Sequence, residues 1–478
     1  MLPLLDKTHP LWSRDTVLKA VSGGGYGPDW SATNVSIDSR EVTPGDLFIA
    51  LHGETVDGHN YLKDACHRGA ASILIDHWPS EIQPESLSIS AVMVRDTLQA
   101  LWDLGKDRRQ KICAKIAAIT GSVGKTTTKD ALSHILRSQA LTAASEKSLN
   151  TKVGVPLSLA RCPEDAVFGV FEIGMSLPGE IAPLAKLVSP DVVMITMIAP
   201  AHLASMKSLE SIAVEKCSIV EGLSSDGIVI LNHDMPLFED IRARLSNRII
   251  WTYGQHEKAD LRLISNHLID HQTQDITAHF RGESASFSYG VRAIGIHMAM
   301  NTLAALLAAK ALGANVWKAI HDLNTFEPAL RRGQIEHVLL SGGGEIILLD
   351  ESYNANPTSM RTALQSLAAL KKLHQGRALA VMGDMLELGE NSENYHRDLS
   401  NDIKNLQIDS VYTCGPLMQN LAADLNTNIH RFHHDSAEKI AQAILKEIRA
   451  GDIIMVKGSR GMGMEKVIEL LKTTIRVD

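Results

Sequence analysis

Aromatic residues are scarce in this chain: Phe, Trp and Tyr together make up 4% of it. Few rings are left on which successive bases could stack, which argues against a single-stranded nucleic-acid platform. Positive charge is not in excess either. Lys and Arg number 47 against 55 Asp and Glu, a net charge of −8, the wrong sign for a protein whose main partner is a phosphate backbone. Five cysteines occur, Cys66, Cys113, Cys162, Cys217 and Cys414. Their odd number, their scatter and the lack of any Cys-x-x-Cys pair argue against a disulfide framework or a cysteine zinc site, and fit a reducing cytoplasm. No apolar run is long enough to span a bilayer; the most apolar, Val192–Ala199, falls far short. The opening residues Met1-Leu2-Pro3-Leu4-Leu5-Asp6 carry no basic stretch followed by an apolar one, so no signal peptide is expected. Fixed-period repeats and low-complexity tracts are also missing.

What is present is an ordinary globular composition, 45% hydrophobic and 21% charged, over 478 residues. That length is too great for one core. The most informative stretch is Thr120-Gly121-Ser122-Val123-Gly124-Lys125-Thr126-Thr127. An apolar run, Ile116–Ile119, leads in as a buried strand, and Lys129–Leu136 follows with apolar residues at helical spacing. Strand, glycine turn and helix N-terminus make a cradle for phosphate: backbone N–H groups, the Lys125 charge, and a Thr126 hydroxyl able to ligate Mg²⁺. The usual spacing asks for a further glycine where Ile119 stands, so the loop is a shortened variant.

Three units are expected: residues 1–110, 111–333 and 334–478. In the first, short strands are expected at Asp46–Leu51, Ser72–Ile75 and Ala91–Val94, with a helix over Leu98–Arg108. Ser39 and Arg40 there offer a hydroxyl and a planar donor fork suited to a diphosphate or base edge; on composition alone they equally suit a solvated turn. In the second, the strands Val167–Ile173 and Asp191–Ile198 end near Glu172 and His202, where open α/β sheets place their ligands. Both can join Thr126 around Mg²⁺, the carboxylate more naturally than the imidazole. Lys216, judged on composition, is a surface lysine of an amphipathic helix. Further strands are expected at Gly227–Leu231 and Arg248–Tyr253, then a hairpin, Ile276–Phe280 with Ala285–Tyr289. His297 and Asn301 share one face of the helix ending near Leu312; they fit a purine edge or a neighbouring loop. Arg331-Arg332-Gly333 is taken as a linker. The last unit alternates strands at Ile346–Leu349, Ala378–Met382, Ser410–Thr413 and Ile453–Val456 with helices, the pattern of a doubly wound, mostly parallel sheet. Having no phosphate loop, it should close over a nucleotide held by the middle unit.

These motifs resemble those of the Mur ligases over almost the whole chain. Thr120–Thr126 is similar to that family's ATP loop, shortened spacing included; folylpolyglutamate synthases share it. More specific are Tyr353-Asn354-Ala355-Asn356-Pro357-Thr358-Ser359-Met360, Met382–Gly389, Lys457-Gly458-Ser459-Arg460 and the run from Asp38-Ser39-Arg40 to Asp57-Gly58-His59. The resemblance implies an α/β fold in three domains: a small mixed α/β domain for a UDP-sugar, a central P-loop-type ATPase domain and a C-terminal Rossmann-like domain. It implies a cytoplasmic monomer that uses ATP to join D-alanyl-D-alanine to UDP-N-acetylmuramoyl-tripeptide through an acyl phosphate. It further implies that Thr120, Gly121, Ser122, Val123, Gly124, Lys125, Thr126 and Thr127 hold ATP, and that Thr126, Glu172, His202 and a carbamylated Lys216 hold two Mg²⁺. His297 and Asn301 would lie near adenine, Arg332 near the phosphates and Glu351 near the ribose. Ser39, Arg40, Asn150, Asn354, Asn356, Lys457 and Ser459 would face the other substrates. Two residues depart from the family pattern: Glu351 stands where Asp is usual, and Thr151 where a second Asn often follows Asn150. A nucleotide-gated binding protein, the reading from another class, has no need of Glu172, His202 and Lys216 together.

Overall fold

The computed structural model describes residues 10–83, 87–340, 342–425 and 429–475; Met1–Asp6, where no leader is expected, lie outside them. Its backbone is laid out around three larger sheets. The first has strands in the order Gly24–Tyr26, Ser90–Met93, Ser72–Ile75, Asp46–Ile49 and Asn34–Ser36, parallel except for the first pair. Every residue of Asp46–Ile49 and Ser72–Ile75 is buried, as expected for strands covered on both faces.

The second sheet has nine strands. Lys115–Thr120 lies inside it, between Val192–Ile195 and Phe168–Glu172, and is buried from Ile116 onward. Its strands are parallel from Thr142–Ala144 through to Leu261–Leu268, and the hairpin partners Gln274–Phe280 and Phe287–Val291 then complete it antiparallel. One face packs against the helices Lys125–Arg137 and Ile296–Ala311. The alanine-rich composition of the second helix lets it approach closely.

The third sheet runs Gln334–Leu339, Glu345–Glu351, Ile453–Lys457, Ala378–Gly383, Ser410–Cys414 and His430–His434, parallel but for its first pair. The four strands expected from the sequence are all there. Arg331–Gly333, expected as a linker, lie in no helix or strand and lead into the edge strand, the Gly333 N–H bonding the Asp350 carbonyl at 2.8 Å. That strand is largely half-exposed, as is Leu261–Leu268, and neither carries the continuous apolar run that marks a covered strand. Among the described residues, no helix is long and apolar enough to cross a membrane.

The first and second sheets are pinned by Arg108, 1% exposed, from the helix Thr97–Lys111. Its guanidinium donates to Glu164 Oε1 at 2.8 Å and to the Leu11 carbonyl, and lies 4.5 Å from the Trp12 ring centroid. The Trp12 indole N–H reaches across to the Ala160 carbonyl at 2.9 Å. Arg108→Ala strands that carbonyl and opens a void. It should lower stability by about 2 kcal/mol, read as a drop in the thermal unfolding midpoint; Glu164→Ala, at an exposed carboxylate, should cost under about 1 kcal/mol.

Candidate active site

Two glycines shape the phosphate loop. Gly121 has φ +151°, and a Cβ there would meet Thr196 Oγ1 at 2.0 Å. Gly124 has φ +84°, and a Cβ would meet Asn301 Oδ1 at 2.6 Å. Only glycine meets both demands. The loop is braced from behind: Thr196 Oγ1 donates to the Val123 carbonyl at 2.6 Å, and the Ser122 N–H bonds the Met197 carbonyl at 2.8 Å. Gly124 starts the helix Lys125–Arg137 without a side-chain cap, so the first-turn N–H groups are available to an anion.

Glu172 ties the loop to its surroundings. It ends the adjacent parallel strand and is 1% exposed. Thr126 Oγ1 donates to Glu172 Oε2 at 2.7 Å, and Asn150 Nδ2 donates to Oε1 at 2.7 Å. Lys125 bends back so that its ammonium donates to the Gly121 carbonyl at 2.7 Å. Burial lowers the Lys125 pKa; Glu172 opposes the shift and Arg332 adds to it.

The surface reading of Lys216 is wrong. It sits near the end of the helix Leu209–Cys217 and is 2% exposed. Burial first, then the Lys125 charge, holds its pKa well below the usual lysine value, against the pull of Glu215. A lowered pKa eases loss of the proton, the condition under which a lysine amine acts as a nucleophile. His202 has φ +55° just before a short helix, and its Nδ1 pairs with Glu387 Oε2 of the third unit at 2.5 Å. Burial lowers its pKa, Glu387 raises it, and Lys125 and Lys216 lower it further.

A cleft of about 530 Å³ is lined by Gly121–Thr127, Asn150, Glu172, His202 and Lys216 on one side and by Arg332, Glu351, Asn354, Asn356 and Lys457 on the other. His297 and Asn301 also line it. Asn301 lines the cleft and accepts from Thr128 Oγ1 of the helix Lys125–Arg137 at 3.3 Å. The His297 ring has Nε2 3.7 Å from Glu351 Oε1, while its Nδ1 is buried with no hydrogen-bond partner. Glu351 reaches Lys457 Nζ at 3.3 Å, and that ammonium also donates to the Asn354 carbonyl at 2.9 Å. The Asn356 amide caps the helix Pro357–His374 by accepting from the Ser359 N–H at 2.8 Å.

Four expected residues are not on the cleft wall. Thr120 is buried within its strand. Ser459 accepts from the Leu386 N–H at 2.9 Å behind the wall. Ser39 is buried in the first unit, and Arg40 there is exposed and paired with Asp38 at 2.6 Å. Sequence reasoning gave no role to Tyr353 or to Ser148. The Arg332 guanidinium stacks 3.7 Å from the Tyr353 ring centroid, and the phenol meets Ser148 Oγ at 2.6 Å. Its place inside a quoted motif was the available signal. Glu387, inside another, closes the gap to His202.

Family models match nearly end to end: the Mur ligase family catalytic domain over residues 31–109, the Mur ligase middle domain over 119–309, and the Mur ligase glutamate ligase domain over 335–460. The chain belongs to the Mur ligase family. Among curated Mur ligases, the UDP-N-acetylmuramoyl-tripeptide–D-alanyl-D-alanine ligase of Bacillus subtilis is 31% identical over 95% of this chain and 96% of its own. The Escherichia coli protein of that name is 30% identical over 95% and 96%. A crystal structure of MurF from Acinetobacter baumannii superposes with a TM-score of 0.84 at 28% identity, covering 97% of this chain and 99% of that one. MurF from Thermotoga maritima, solved in complex with ADP, gives 0.77 at 25% identity over 92% and 97%.

Gly124→Ala tests the cradle. It forces a side chain into the left-handed region, at about 1–2 kcal/mol, and against Asn301. Affinity for ADP, measured by calorimetric titration, should fall roughly tenfold or more, and the unfolding midpoint should fall by a few degrees.

Proposed function

We propose that this Mur ligase joins D-alanyl-D-alanine to UDP-N-acetylmuramoyl-tripeptide at the expense of ATP, giving UDP-N-acetylmuramoyl-pentapeptide, ADP and phosphate, in the cytoplasm and as a monomer. One observation carries the reading: full-length relatives of that name, at about 30% identity, match a chain whose phosphate loop and buried lysine face one cleft. Three domains with boundaries near 110 and 333 divide the work between UDP-sugar, ATP and closure.

The chemistry asks two anions to meet. The tripeptide carboxylate attacks the γ-phosphorus and ADP departs, leaving an acyl phosphate. The amine of D-alanyl-D-alanine attacks the acyl carbon, loses a proton, and phosphate departs. Little covalent work falls to the protein, so positioning and charge neutralisation dominate. The loop N–H groups and Lys125 hold the β- and γ-phosphates, Arg332 approaches them from the end of the second unit, and Glu351, His297 and Asn301 address the nucleoside. Asn150 orients the sugar–peptide substrate, with Ser39 and Arg40 at the uridine end, and Asn354, Asn356, Lys457 and Ser459 shape the far wall. The donor set fits magnesium: Thr126 and Glu172 meet at 2.7 Å beside the phosphate cradle, and His202 and Lys216 line the same cleft. When bound, Mg²⁺ supplies positive charge to the phosphate and carboxylate oxygens. Lys216, if carbamylated, would offer oxygen atoms to the second of two ions.

Two experiments test this. ADP release should require both UDP-N-acetylmuramoyl-tripeptide and D-alanyl-D-alanine; turnover without the dipeptide refutes it. Lys216→Ala should cut kcat at least about 100-fold while ADP affinity changes little, and wild-type kcat in that variant would remove Lys216 from the mechanism.

A further inference from the structure

The first unit holds a histidine cluster to which the proposed ligase steps assign no role. His52 and His59 follow the strand Asp46–Ile49; Asp76 and His77 follow its parallel neighbour, Ser72–Ile75. The pairing of Ile49 with Leu74 brings both strand ends to the same edge. Between the two histidines the chain turns tightly, with His52 bridged to Asp57 and the Gly53 N–H bonded to the Val56 carbonyl at 2.8 Å. That turn returns His59 to the side of His52.

Three imidazoles thereby converge on one carboxylate. Asp76 Oδ2 lies 2.9 Å from His52 Nε2, and Asp76 Oδ1 lies 3.3 Å from His59 Nε2 and 2.7 Å from His77 Nδ1. One ligand atom from each of these four residues lies within 4.8 Å of all the others. The rings are stacked, His59 on His77 at 4.2 Å and His52 on His59 at 4.9 Å. A second carboxylate holds the outer nitrogens: Asp57 Oδ1 is 2.7 Å from His59 Nδ1, and Asp57 Oδ2 is 3.2 Å from His52 Nδ1. Asp57 is itself fixed by the His59 N–H at 2.9 Å. With their outer nitrogens protonated toward Asp57, His52 and His59 turn lone pairs inward, toward a carboxylate. At His59 the Asp76 N–H partly meets that lone pair at 3.3 Å, whereas at His52 a proton or a cation is needed between Nε2 and Asp76 Oδ2, 2.9 Å apart.

We propose that His52, His59, Asp76 and His77 bind one divalent transition-metal ion, with Asp57 as the outer carboxylate that orients two of the imidazoles. Three nitrogens and one oxygen suit Zn²⁺, Co²⁺ or Ni²⁺ and not Mg²⁺. The carboxylate–histidine–metal relay is the usual way such ligands are aimed. Two carboxylates also balance the charge of a divalent ion. His59 closes the site from within, whereas His52 and His77 are half-exposed and leave a path for entry. The rival is a metal-free hydrogen-bonded network, in which the Asp76 N–H donates to His59 Nε2 at 3.3 Å. Such a bond is long enough to be displaced cheaply. The bound ion ties the turn after one strand to the end of the next.

The test is Zn²⁺ titration of the full-length protein against a chromogenic chelator, with Mg²⁺ at saturation to fill oxygen-rich sites. One equivalent should bind. Asp57→Asn should weaken that binding roughly 10–100-fold, and His52→Ala/His77→Ala should weaken it further. Both histidines are surface residues, so circular dichroism should report an unchanged fold. Co²⁺ should show tetrahedral visible bands in the wild type that the double variant lacks. Equal Zn²⁺ binding by wild type and double variant, or none by the wild type, overturns the proposal. Neither result bears on the ligase reading, because ADP release is measured separately.

Discussion

Two lysines at the floor of one cleft set the terms for the rest of the site. Lys216 is buried and Lys125 is half-buried, and the Lys125 charge is among the causes that lower the Lys216 pKa. Desolvated like charges are costly unless anions accompany them. The protein supplies few of these close by: Glu172 is shared between Thr126 and Asn150, and Glu215 is drawn off by the N–H groups of Gly179 and Ile181 at 2.8 and 3.0 Å. The cleft is therefore short of negative charge. A triphosphate and a substrate carboxylate would each answer that shortage, as would a carbamate of the kind proposed for Lys216.

The architecture follows from where this imbalance must sit. Parallel strands end together, and the central sheet delivers the phosphate loop, Glu172 and His202 to one edge. The third sheet lays Glu351 and Lys457 side by side in parallel register, so their side chains meet. Across the cleft Tyr353 meets Ser148 and His202 meets Glu387; beside it, Leu268 and Ile294 of the second unit pack into the apolar core of the third. The first unit is held differently, through the Arg108–Trp12 packing and through the Lys147–Glu41 pair at 2.8 Å.

Much of this was legible in the sequence for physical reasons. Continuous apolar runs identified the covered strands, because strands buried on both faces need them; glycines beside Lys125 identified the loop, because no other residue takes those backbone angles. Half-exposed strands such as Gln334–Leu339 escaped notice for want of such a run. Lys216 was misjudged on composition, because one lysine on a short helix does not reveal what packs over it; only the motif resemblance pointed inward. Asn301 had two uses open in the sequence; the structure adds its close approach to Gly124 beside the cleft. The histidine cluster was invisible except for His59, since its members become neighbours only through strand pairing.

The claim that the cleft draws an anion onto Lys216 is tested most directly by ¹³C NMR of the protein in labelled bicarbonate. A carbamate carbon resonance that disappears in Lys216→Ala is the predicted result. A folded wild-type protein with no such resonance, its Lys216 remaining an unmodified amine, would contradict the account.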